Sequence, residues 1–125
     1  MKASTVFYKV YAHLLEQGKQ AINDNGKCLY RGPDGTKCAV GALIRDREYD
    51  PEMENSGGVG GLKREGLLPE RLKPHYELLK DLQDEHDENI DRRGDSKWFK
   101  TKSLHERMRR VAESHGIKFV EMELV

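Results

Sequence analysis

Cys28-Leu29-Tyr30-Arg31-Gly32-Pro33-Asp34-Gly35-Thr36-Lys37-Cys38-Ala39-Val40 is the stretch on which any fold assignment turns. Pro33 suits the first central position of a turn because its ring presets φ, and Gly35 can enter the left-handed region that a tight turn demands. The short runs on either side then read as paired strands, giving a β-hairpin over 28–40 with a three-residue loop. In that register Tyr30 faces Cys38, and Cys28 lies diagonal to Cys38 on the same side. The two sulfurs are expected to be neighbours and to stay reduced and unbonded, since nothing at the start of the chain reads as an export signal and the cytosol keeps such pairs as thiols.

Outward from the hairpin the chain reads as helical. Val6, Phe7, Val10, Tyr11, Leu14, Leu15 and Ile22 recur at helical spacing after Ser4 or Thr5 as N-cap, which predicts a first helix over about 5–24, ahead of Asn23-Asp24-Asn25-Gly26. Leu78, Leu79 and Leu82, continued by His75 and His86, form the inner face of a second helix over about 73–88. Ser96 can cap a third, over about 96–115, with Trp98, Met108 and Val111 inward and Gly116 as its stop. Gly41-Ala42-Leu43-Ile44 opens a short helix, Pro51 and the glycines at 57, 58, 60 and 61 mark a mobile loop at about 55–62, and 117–125 reads as a short strand. The expected fold class is thus α+β, mainly helical: one domain over 1–125, with three principal helices around one β-hairpin. Phe7, Tyr11, Leu14, Leu43, Leu78, Leu82, Trp98, Met108 and Val111 form the expected core.

Composition narrows the function. The 125 residues hold 22 Lys plus Arg against 22 Asp plus Glu, so the whole-chain positive field that gathers nucleic-acid phosphates is missing. A local basic element remains in Lys97, Lys100, Lys102, Arg107, Arg109 and Arg110, beside Trp98 and Phe99, and reads first as the wet face of the last helix. The apolar runs are too short for a membrane-spanning helix, and a cytoplasmic protein is expected.

Four constellations could carry chemistry. Cys38 precedes a helix start, where the dipole lowers a thiol pKa, and with His86 and Asp87 it could form a thiol-dependent hydrolase site. Adjacent helical residues diverge by about 100°, however, so Asp87 is poorly placed to orient its neighbour. Cys28, Cys38, His75 and His86 could make a composite zinc site, but lack the closely spaced ligand pairs of structural zinc; packed thiols and a hydrogen-bonded histidine are the plainer expectation, with no cofactor. The acidic stretch Asp46, Glu48, Asp50, Glu52 and Glu54 lacks the spacing of a calcium loop, and the glycines before Lys63 and Arg64 lack the ending of a phosphate loop.

The pattern Cys28-x-Tyr30-Arg31-Gly32-x-x-Gly35-x-x-Cys38-Ala39-Val40-Gly41-x-Leu43-Ile44, followed by Tyr49 and Met53-Glu54, resembles a signature of small uncharacterised proteins of tailed phages and prophages. Leu82-Gln83-x-x-His86-Asp87 and the ending His115-Gly116-Ile117 belong to the same likeness, and Asn55 departs from it where a glycine is expected. The family brings no established activity. It implies an accessory protein that binds a host or defence protein, and the expected contact surface is Tyr30, Arg31 and Asp34 with Tyr49, Glu52 and Glu54, because aromatic and arginine residues beside loops resemble interface anchors. The alternative is a small thiol- or metal-dependent enzyme built on Cys38 and His86.

Overall fold

A computed structural model describes residues 1–87 and 101–123. Among the described residues lie four helices, α1 (Ala3–Gln17), α2 (Gly58–Arg64), α3 (Tyr76–Asp87) and α4 (Thr101–Ser114). Single 3-10 turns at Pro33–Gly35, Gly41–Leu43 and Pro51–Asn55, and a longer one at Glu70–His75, punctuate the chain between them.

Helix α1 buries Val6, Phe7, Val10, Tyr11, Leu14 and Leu15, the stripe that the 3.6-residue period places on one face. It ends well before the expected stop near residue 24. Gly18 sits at φ 67°, and its N–H returns to Leu14 O at 3.0 Å. That left-handed conformation suits a residue without Cβ and closes the helix there. Ile22, counted in the stripe by its spacing, lies beyond this cap in an irregular segment. Pro74, which lacks a backbone N–H, lies in the 3-10 turn, so α3 starts at Tyr76 and carries Leu78, Leu79 and Leu82 inward. The glycine run that reads as a loop holds α2, with Val59, Gly61 and Leu62 buried.

Helix α1 packs on α3, on α4 and on the Gly41–Leu43 turn, while α3 also meets α2 and α4. Of the expected core, Phe7, Tyr11, Leu14, Leu43, Leu78, Leu82, Met108 and Val111 are all buried; Trp98 and the Ser96 cap lie outside the described residues.

The expected β-hairpin over 28–40 is absent. Among the described residues there is no strand or sheet; the only bridge joins Ile22 and Cys28, and the strand expected at 117–125 is likewise missing over 117–123. The α+β expectation is therefore corrected to a helical fold. The cause is competition for backbone groups, since a ladder forms only if the N–H groups of one flank find carbonyls on the other. Here Tyr30 and Arg31 N–H donate to the Glu54 carboxylate at 2.9 and 3.1 Å, Lys37 N–H to Gln17 Oε1 at 2.8 Å, Val40 N–H to Gln83 Oε1 at 3.1 Å, and Leu29 N–H to Ala21 O at 2.8 Å. The expected turn does form at the tip. Gly32 N–H reaches Thr36 O at 2.8 Å, and Asp34 adopts φ 58°. Short polar side chains tolerate that conformation better than most.

Candidate functional site

The segment 28–41 is held from three sides. Helix α1 contributes Gln17, whose amide spans Lys37, accepting from its N–H and donating to its carbonyl at 2.9 Å; His13 Nε2 meets the same carbonyl at 2.9 Å. Burial pushes the His13 pKa below its ordinary value, so the ring is neutral and Nε2 donates. Helix α3 contributes Gln83, and the Pro51–Asn55 turn contributes Glu54. Gly41 is required by contact. A Cβ there would lie 2.1 Å from Tyr30 O. Only glycine therefore lets the Cys38–Gly41 turn pack against the backbone of Tyr30.

Glu54 is the hub. Besides the two amides it accepts from the Tyr49 hydroxyl at 2.8 Å. Burial first, then this bond to a carboxylate, pushes the Tyr49 phenol up to about 12. The Arg31 guanidinium lies 4.5 Å from the centre of the Tyr49 ring and pairs with Asp46 at 2.7 Å. Its Nε is sealed from solvent without an acceptor among the described residues, so stacking and charge hold the group more than hydrogen bonds do.

Between this segment and 53–58 opens a cavity of about 310 Å³ whose walls include Cys28, Tyr30, Cys38, Met53, Glu54 and Gln83. Both cysteines line this one cavity and neither is in a disulfide; Cys38 is 1 % exposed and Cys28 half-buried. Cys38 Sγ accepts from Gly41 N–H at 3.3 Å.

The sequence-derived sites separate into groups. Of the expected contact surface, Arg31 and Tyr49 are half-buried, and Asp34 and Glu52 are exposed. Tyr30 is only 6 % exposed and Glu54 is turned inward, so these two are the platform beneath that surface. His86 is fully buried; its Nε2 accepts from Ala21 N–H at 3.3 Å and its carbonyl from Gln20 Nε2 at 2.6 Å, which ties α3 to 20–21. Asp87 closes α3. Among the described residues no three His, Cys, Asp or Glu side chains converge on a point, so Cys28, Cys38, His75 and His86 do not assemble a zinc site.

In the basic set, Arg107 is turned inward onto the Glu85 carboxylate at 3.4 Å, and Arg109 lies 5.3 Å from the Phe119 ring centre. Arg110 is exposed, Lys102 lies in the first turn of α4, and Lys97 and Lys100 lie outside the described residues. No described helix is long and apolar enough to cross a membrane.

Spacing alone could not nominate Gln17 and Gln83 as supports. For Gln83 a signal existed: a carboxamide on the inner face of α3, between Leu79 and His86, must find a backbone partner if it is buried. No family model, curated protein or solved structure matches this chain.

Proposed function

We propose that this is a recognition module acting without turnover, of the phage accessory type, which binds a host or defence protein in the host-cell cytoplasm. The observation that carries the reading is the Arg31–Tyr49 pair, stacked at 4.5 Å on the Glu54 platform and flanked by the exposed Asp34 and Glu52. Arginine and tyrosine dominate interface energetics, and a pair already ordered in the free protein loses little entropy on binding. The signature residues of the phage-like pattern coincide with this platform: Tyr30, Gly41 and Glu54 build it, and Arg31 and Tyr49 stand on it. The neighbouring groups suited to acid–base work are already engaged. Both Glu54 oxygens hold the platform, and His86 Nε2 holds the backbone at Ala21.

The test is quantitative affinity capture from host lysate with the full chain. A stoichiometric protein retained by the wild type and lost by Arg31→Ala combined with Asp34→Ala, at unchanged melting temperature, supports the reading. Undiminished capture by that variant overturns it. So does loss of the biological effect in a folded, partner-competent Cys38→Ser protein, which would favour the thiol enzyme.

A further inference from the structure

We propose that the cavity between 28–41 and 53–58 is a soft-metal site that takes a monovalent copper ion between the thiolates of Cys28 and Cys38, with the Met53 thioether as a weaker third ligand. Three sulfur-bearing residues from two separate segments line this one cavity of about 310 Å³. Thiolate and thioether donors together select Cu(I) over hard and borderline cations, and a low-coordinate Cu(I) site needs no fourth ligand. This distinguishes it from zinc, whose structural sites are closed by four donors and for which no such set converges among the described residues.

The surroundings suit a metal thiolate. Gly41 N–H donates to Cys38 Sγ at 3.3 Å across the Cys38-Ala39-Val40-Gly41 turn. An outer hydrogen bond of this kind steadies a ligating sulfur. Gly41 also lets that turn pack on the Tyr30 backbone, two residues from Cys28, which brings the two thiol-bearing segments together. Cys28, half-buried, stands on the accessible side, whereas Cys38 and Met53 are 1 % and 2 % exposed, so an ion entering past Cys28 leaves water behind. On binding, each thiol releases its proton to solvent and each sulfur gives an electron pair to copper. The complex then carries net negative charge, in a cavity whose wall holds both Lys27 and Glu54.

The experiment is an anaerobic titration of the reduced full chain with Cu(I) held by a chromophoric chelator. A single equivalent withdrawn, with thiolate-to-copper charge-transfer absorbance and a sulfur-only first shell by X-ray absorption, is the expected result. Cys28→Ser and Cys38→Ser each lower the affinity by about a hundredfold or more, and Met53→Leu, which conserves volume in the core, by about tenfold. Circular dichroism of each variant guards against unfolding, and Met53→Leu keeps the proposal exposed should a serine variant fail to fold. No withdrawal from the chelator, nitrogen or oxygen in the first shell, unchanged affinity in Cys28→Ser, or equal uptake of Zn(II) would each overturn it.

Discussion

Two stretches, 28–40 and 117–125, read in the sequence as a hairpin and a short strand, and over the described residues neither forms a ladder. Each is fastened instead by side chains. The first is fastened by charged and carboxamide groups, Glu54, Gln17 and Gln83, acting on amides at 30, 31, 37 and 40. The second is fastened by phenols and rings. Tyr8 Oη donates to Lys118 O at 2.6 Å and accepts from Val120 N–H at 2.8 Å, while Tyr11 Oη accepts from Met122 N–H at 3.2 Å and also meets His105 Nδ1. Phe119 stacks on Tyr11 at 5.7 Å between ring centres, and His105 Nε2 lies 3.3 Å from the Glu121 carboxylate. The two segments differ in what each loses when a fastener goes. Loss of the Glu54 carboxylate strips two backbone amides and a phenol at once, whereas loss of the Tyr11 hydroxyl strips one amide, at Met122, and the ring nitrogen of His105.

Glu54→Ala puts this contrast under the greatest strain. It strips the partners from two backbone amides and the Tyr49 hydroxyl, and should cost about 3 kcal/mol in chemical denaturation. Glu54→Gln, which keeps one acceptor oxygen, should recover about half of that. If Glu54→Ala were as stable as the wild type, the hub role assigned to this carboxylate would fail.

Tyr11→Phe should cost less, about 1 kcal/mol, because it preserves the ring stack with Phe119 and removes one hydroxyl. Its signature is local: hydrogen exchange should accelerate at Met122 while the amides of Tyr30 and Val40 stay protected. Equal acceleration in both segments would show that they open together.

The mildest consequence is a pH dependence confined to the first segment. Burial holds the folded His13 pKa below its ordinary 6.5, so the unfolded chain binds the proton more readily. This contribution is fully present above pH 6.5 and is lost as pH falls through the depressed folded value. Protection of the Lys37 region should decline over that window, and His13→Asn should flatten the decline. An unchanged profile in the variant would remove His13 as the cause.

The helices were legible because their signal is local. Leu78, Leu79 and Leu82 repeat at the helical period and are buried, as are Met108 and Val111 on α4. The end of α1 has a local signal too, since Gly18 can take the left-handed conformation that closes a helix. For the candidate site, the sequence groups Tyr30, Arg31, Asp34, Tyr49, Glu52 and Glu54 as a contact surface and sets Cys38 apart with His86 and Asp87; in the fold the Tyr30 and Arg31 amides and the Tyr49 hydroxyl meet at Glu54. The sequence does not divide them into platform and surface, because burial is a property of the assembled molecule.

The helical stripes, the turn at Gly32–Thr36 and the want of any net positive charge could all be read from residue order alone, since they follow from near neighbours or from summed charge. Whether 28–41 became a side-chain-anchored loop or a hairpin could not. The local preferences of the flanks permit either outcome, and the choice rests on acceptors at positions 17, 54 and 83, up to 43 residues away, whose arrival depends on the packing of α1 and α3. Those acceptors satisfy the backbone donors first, and a ladder has nothing left to pair.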